Sequence, residues 1–99
     1  MNSRFGLSER TITTLLNYFE SKPEIEKIII FGSRAKGNFH IGSDIDFAIV
    51  SNLDSMNAIL RELDALATPY KFDIVNYKNL QEGIKNNIDK DGILFYSRD

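Results

Sequence analysis

Two apolar runs, separated by a short polar link, constrain the fold of this chain most. The first, residues 28–31, is β-branched and aromatic and stops at Gly32. The second begins at Asp44 and continues to Val50. Runs of this composition are typical of buried strands. The link is short for the helical crossover that joins neighbouring parallel strands, so we expect these two strands to pair antiparallel.

Apolar periodicity predicts helices around these strands. Ser8 is a typical N-cap, and an i, i+3, i+4, i+7 stripe follows it, formed by Ile12, Leu15, Leu16 and Phe19. The same periodicity predicts a helix that carries Met56, Ile59, Leu60, Leu63 and Leu66. It predicts a last helix that carries Leu80, Ile84 and Ile88 and ends at Asp91-Gly92.

Two further strands complete the predicted order of elements. Residues 72–75 predict a third strand and residues 93–96 a short edge strand. A brief helical turn is expected over residues 33–36, ending at Gly37. The order predicts an α+β fold with two layers (α/β), in which helices cover a small mixed sheet of three to four strands.

Length and charge bound the functional classes. Ninety-nine residues predict a single domain over 1–99. The absence of cysteine excludes disulfides and thiolate metal sites. A net charge of -2 without a basic stripe argues against stable nucleic-acid binding. No apolar run approaches the ~20 residues that span a bilayer. We therefore expect no membrane contact and a cytoplasmic protein.

Two carboxylates stand at alternate positions where the second strand begins. Because side chains alternate across a strand, Asp44 and Asp46 are predicted to share one face. Like charges at this distance repel each other, and a divalent cation would offset the repulsion. Mg²⁺ prefers such hard oxygen ligands and completes its shell with water and phosphate oxygens. Simple solvation of a strand end is the alternative.

A third carboxylate, Asp73, lies inside the predicted third strand, where an aspartate is disfavoured. If that strand lies beside the second, Asp73 joins the other two, and the three could hold two cations about 3.5–4 Å apart. An ion pair with Lys71 or Arg34 is the alternative. A zinc site does not fit, since His40 is the only histidine.

The segment from Gly32 to Gly37 has the G-x-x-x-x-G spacing of a P-loop without the Lys-Ser/Thr that completes that motif. A turn after a strand still exposes backbone N–H groups to an anion. Ser33 adds a hydroxyl, and Arg34 and Lys36 add positive charge. A plain turn with solvated basic residues is the alternative.

Together these motifs resemble a known superfamily. Phe31-Gly32-Ser33, then Asp44-Ile45-Asp46, then the lone Asp73 resemble the nucleotidyltransferase superfamily that includes DNA polymerase beta. Within it, the chain looks like the minimal nucleotidyltransferases (MNT) of bacteria and archaea. The likeness extends over residues 28–75, with Lys36 where an arginine is common.

The resemblance implies a polymerase-beta-type nucleotidyltransferase fold and a role for each motif. It assigns nucleotide binding, at the β- and γ-phosphates, to Gly32, Ser33, Arg34 and Lys36. It assigns catalysis and Mg²⁺ binding, expected as a two-metal site, to Asp44, Asp46 and Asp73. It also implies that Asp73 accepts the proton of the attacking hydroxyl.

The resemblance further implies a reaction and a partner. A nucleoside monophosphate, expected to be AMP, would pass from a nucleoside triphosphate to a hydroxyl on a partner protein. Minimal nucleotidyltransferases commonly pair, as antitoxins, with a small helical HEPN toxin. The alternative is a non-catalytic antitoxin or a nucleotide-binding module that acts by contact alone. We expect Phe39, between the glycine turn and the D-x-D, to take part in the partner interface.

Overall fold

A computed structural model describes residues 4–98, in which four strands form one mixed sheet. The strands are β1 (Ile25–Phe31), β2 (Ile45–Ser51), β3 (Phe72–Asn76) and β4 (Ile93–Ser97). Their spatial order is β3-β2-β1-β4. β1 pairs antiparallel with both β2 and β4, and β2 pairs parallel with β3. Two predictions are confirmed: the first two strands pair antiparallel, and the sheet is mixed.

Four helices accompany the sheet within residues 4–98: α1 (Glu9–Glu20), α2 (Gly32–Lys36), α3 (Asn57–Asp64) and α4 (Glu82–Asp91). None of them is long and apolar enough to cross a bilayer. Short 3-10 turns cover Arg4–Gly6 and Tyr77–Asn79. The second of these was not predicted, and it leaves Leu80 outside the last helix, because the backbone of Leu80 is extended with a ψ of 146° and α4 begins at Glu82.

The ends of the first helix follow from local chemistry. Ser8 caps α1, since its Oγ accepts a hydrogen bond from the backbone N–H of Thr11 at 3.1 Å. Leu7, the residue before the cap, is fully buried in the core. The helix ends at Glu20, three residues before Pro23. The predicted N-cap is therefore confirmed.

One side of the sheet, here called the inner face, carries the hydrophobic core together with α1 and α3. Its fully buried strand residues include Ile28, Ile30, Ile45, Phe47 and Ile49. Phe19 of α1 meets Phe47 edge to face, with ring centroids 5.4 Å apart. Leu63 of α3 is also fully buried in this cluster. Burial of these side chains is the main stabilising contribution to the fold.

The opposite side, here called the outer face, carries the alternate strand residues and α4. Gly92 follows α4 and packs against β1, because a Cβ there would overlap the Ile88 carbonyl and the Ile29 side chain. The predicted helix end at Gly92 is confirmed. The φ of Gly92 is -75°, so close packing rather than a left-handed cap requires the glycine.

Candidate active site

The glycine turn and the D-x-D are in direct contact. β1 and β2 are antiparallel with Phe31 opposite Asp46, which brings the end of one strand to the start of the other. Gly32 has a φ of 76°, a conformation that favours glycine. A Cβ at Gly32 would also overlap Oδ2 of Asp46. Gly32 is therefore required twice, for the turn and for the approach of this carboxylate.

Parallel pairing places Asp73 beside Asp46 in the same register. The neighbouring residues Phe72 and Ile74 pack against the core on the inner face. Alternation along the strand therefore puts the Asp73 carboxylate on the outer face, with Asp46. The sequence pattern predicted that the second strand begins at Asp44, but Asp44 lies one residue before β2. The reason is that sheet pairing begins at Ile45, whose N–H donates to the Lys71 carbonyl.

The charges of the three aspartates act on one another. The pKa of Asp46 is raised, first by burial and then by the negative charges of Asp73 and Asp44, while Arg34 lowers it. Within residues 4–98 none of the three carboxylates has a hydrogen bond or an ion pair. The alternative ion pair of Asp73 with Lys71 or Arg34 is therefore not formed in the described chain.

The donor chemistry at this position fits a hard divalent cation. Among residues 4–98, no three acidic, histidine or cysteine side chains form a cage that could hold a metal ion. Mg²⁺ seldom uses such a cage, since it is held by one or two carboxylates and takes its remaining ligands from water and phosphate. Unpaired, mutually repelling oxygen donors at Asp46 and Asp73 meet that requirement.

Arg34 lies in the protein interior, with 2% of its surface exposed. Its Nε and Nη2 donate to the Ser43 carbonyl at 3.2 and 2.8 Å, and Nη1 donates to the Phe5 carbonyl at 2.9 Å. The guanidinium also lies 5.1 Å from the Phe39 ring centroid and 5.0 Å from that of Tyr70. Arg34 thus ties together four segments around the site. Its assignment to nucleotide binding remains a prediction.

Arg34 also fixes the backbone next to Asp44. Ser43 precedes Asp44 directly, so the two bonds from Arg34 hold the backbone that presents this carboxylate. Phe39 is half-buried against Arg34, and Gly6 leaves room for its ring. Phe39 therefore has a local packing role, the alternative to an interface role, and its contact with a partner stays a prediction.

The remaining residues of the turn are more accessible. The carbonyl of Ser33 accepts bonds from the N–H groups of Gly37 and Asn38, which ends α2 at the predicted position. The Ser33 hydroxyl has no partner within residues 4–98. Lys36 is exposed, and its Nζ lies 3.9 Å from Oδ2 of Asp91. Ser33 and Lys36 therefore remain available to a ligand.

A cavity of about 180 Å³ opens beside the turn, between α2 and α4. It is lined by Phe31, Gly32, Lys36, Ile84, Asn87, Ile88 and Asp91. The α4 residues were not expected at a site. The available signal was their i, i+3, i+4, i+7 spacing, which places Ile84, Asn87, Ile88 and Asp91 on one side of the helix.

A family model described as polymerase beta, nucleotidyltransferase matches residues 13–99. The chain belongs to this nucleotidyltransferase family. Membership confirms the predicted resemblance, the fold and the enzyme class. No curated protein matches the chain.

Solved structures similar to this nucleotidyltransferase include toxin–antitoxin complexes. A chain of a toxin–antitoxin complex with AMP-PNP is 25% identical, with a TM-score of 0.70, and the match covers 92% of this chain and 74% of that one. A chain of MntA-HepT is 17% identical, with a TM-score of 0.67 and coverages of 91% and 73%. At that identity the likeness shows the fold alone.

A third similar structure is tri-AMPylated Shewanella oneidensis HEPN toxin in complex with MNT antitoxin. The matched chain is 22% identical, with a TM-score of 0.61, and the match covers 90% of this chain and 69% of that one. This likeness also shows the fold alone.

Proposed function

We propose that this nucleotidyltransferase uses Mg²⁺ to transfer AMP from ATP to a hydroxyl of a HEPN-type partner protein, and that it acts as the antitoxin of that pair in the cytoplasm. The contact between Gly32 and Asp46 carries the proposal, because it makes the phosphate-binding turn and the metal-binding carboxylates one site. The similar complex with AMP-PNP and the similar complex with an AMPylated HEPN toxin support the nucleotide and the acceptor.

The carboxylates would hold Mg²⁺, alone or as a pair of ions. Asp46 and Asp73 are adjacent across two parallel strands, and Asp44 is close enough to affect the pKa of Asp46. When bound, Mg²⁺ orients the triphosphate and neutralises charge that develops on its oxygens. The unpaired charges of the aspartates explain why a cation would bind here.

The glycine turn would bind the triphosphate, and the Asp73 carboxylate would accept a proton. Gly32 lets the triphosphate approach the backbone, and the unpartnered Ser33 hydroxyl can donate to a phosphate oxygen. The acceptor oxygen attacks the α-phosphorus, the bond from that phosphorus to the β-phosphate oxygen breaks, and pyrophosphate leaves. Asp73 is exposed and unbonded within the described chain, so it is free to take the proton of the acceptor hydroxyl.

The deciding experiment uses the chain together with the protein encoded by the neighbouring gene, tested as its partner. The pair is incubated with Mg²⁺ and each of the four ribonucleoside triphosphates, and intact-protein mass spectrometry is used to look for an added nucleotide. We expect adenylate on the partner, and no addition in EDTA or with Asp46→Asn. Inhibition of the toxin without any mass change, equal for the parent chain and Asp46→Asn, would instead establish the antitoxin that acts by contact alone.

A further inference from the structure

The cavity between α2 and α4 has a chemistry that the phosphate and metal roles do not use. Its walls are apolar at Phe31, Ile84 and Ile88, and Asn87 contributes a carboxamide. Pockets of mostly apolar walls with a few fixed polar groups are typical of sites for flat organic ligands. We propose that this cavity binds the adenine base of the triphosphate, an inference that rests on the proposed function.

The position of the cavity supports this assignment. Gly32 lines the cavity and also touches Asp46, so the cavity begins where the carboxylate site ends. A nucleotide whose phosphates lie at the turn has its base within reach of this opening. Two other cavities, lined by residues between Arg4 and Leu16 and by residues between Ile41 and Lys71, contain no residue of the turn.

The size of the cavity argues for a base rather than for a complete nucleotide. Its volume is about 180 Å³. Complete pockets for small molecules usually occupy about 300–1,000 Å³. The cavity therefore accommodates one part of a ligand. The apolar walls at Phe31, Ile84 and Ile88 offer a phosphate no hydrogen-bond donors, which leaves the nucleoside end of the substrate.

The polar groups indicate which base is bound. A carboxamide such as that of Asn87 can pair with adenine through N6 and N7, whereas guanine is usually read by arginine or lysine. The cavity does contain Lys36, but its ammonium faces the Asp91 carboxylate at 3.9 Å. With that charge offset, Asn87 is the group left to distinguish the bases, and it favours adenine.

The first test compares two neighbouring asparagines of α4. Both Asn86 and Asn87 are exposed, but only Asn87 lines the cavity. We expect Asn87→Leu to raise the KM for ATP about tenfold, the scale of one good bidentate base contact, and to remove the preference for ATP over the other triphosphates. Asn86→Leu should match the parent. An unchanged base preference in Asn87→Leu would overturn the proposal.

The second test needs no turnover. The δ1-methyl groups of Ile84 and Ile88 are followed by NMR while MgATP or Mg-tripolyphosphate is added to the parent chain. We expect the ring current of the base to shift both methyl signals with ATP only. The methyl signals of Ile12 and Ile59, buried on the inner face, should not move.

These outcomes separate this inference from the proposed function. If both ligands bind but ATP does not shift the methyl signals of Ile84 and Ile88, the site binds triphosphates and the base lies elsewhere. The cavity assignment is then wrong. If neither ligand binds, the proposed function fails and the inference fails with it. Shifts of Ile84 and Ile88 with ATP, together with loss of base preference in Asn87→Leu, support the assignment.

Discussion

The two faces of β2 differ in charge although they share one backbone. On the inner face Ile45, Phe47 and Ile49 are fully buried. On the outer face Asp46 is only half-buried, and it has no hydrogen bond or ion pair within residues 4–98. One face has every side chain packed, whereas the other leaves a charge without a partner.

This difference assigns stability and function to opposite sides of the sheet. Burial of apolar area stabilises the inner face, where α1 and α3 cover the strands. The outer face carries like charges that repel each other, which favours a bound cation over the metal-free state. Because both sets of side chains alternate on the same strand, the packed core holds the carboxylates in place. Substitutions on the two faces should therefore have separable effects.

The largest expected effect is on the stability of the inner face. Phe47 packs against Phe19 and Phe95, with centroid distances of 5.4 and 5.1 Å. Phe47→Ala should lower the free energy of unfolding by about 3–5 kcal/mol because it removes buried contacts and leaves a cavity. Urea denaturation measures the loss. Val50→Ala, half-buried on the outer face of the same strand, is the control, and an equal loss there would contradict the division between the faces.

For Asp46→Asn we expect a loss of activity without a loss of stability. Transfer of the nucleotide should fall on the order of 10²–10³-fold, the scale seen when one preorganised electrostatic contact is removed. The metal-free free energy of unfolding should stay the same or rise, because the change removes one of three repelling charges. Adenylate transfer and urea denaturation are measured on the same samples. Asp64→Asn, at an exposed position of α3, should change neither quantity.

Arg34→Lys tests whether the buried guanidinium of Arg34 stabilises the fold around the site. Lysine keeps the charge but cannot reproduce the fork that bonds Ser43 and Phe5 or the stacking on two rings. We expect a loss of about 1–3 kcal/mol in the free energy of unfolding, the scale of a disrupted buried hydrogen-bonded group. Thermal or urea denaturation measures it, with the exposed Arg61→Lys as the control. Unchanged stability with weakened MgATP binding would instead make Arg34 a direct phosphate ligand.

The smallest effect is expected from pH. Because the pKa of Asp46 is raised above its ordinary value of 3.8, the protonated carboxyl is the form that the fold favours. Its stabilising contribution is complete below 3.8 and is lost as pH rises through the raised pKa. Without metal, the parent should therefore lose stability relative to Asp46→Asn as pH rises through this range. Thermal denaturation in EDTA measures the difference, and adding Mg²⁺ should reduce it. A difference that is constant with pH would show that the fold does not raise the pKa of Asp46.

Local patterns in the sequence were sufficient for most of the helices and strands. Ser8 caps its helix, Gly37 ends α2, and Asp46 and Asp73 alternate with apolar residues on their strands, all as the spacing predicts. These features depend on residues that are close together in the chain. For the same reason the antiparallel pairing of β1 and β2 could be inferred from the short link between them.

The tertiary structure decided which groups meet. Arg34 was expected at the phosphate site, yet its donors are bonded to the backbone of Phe5 and Ser43, which are distant from it in sequence. The cavity likewise required α4 to cross the outer face and to place Asn87 beside Gly32. Periodicity shows which side of a helix is apolar, but it does not show which partner covers that side. That choice depends on the packing of the whole chain, because contacts between distant segments form only when all the elements pack together.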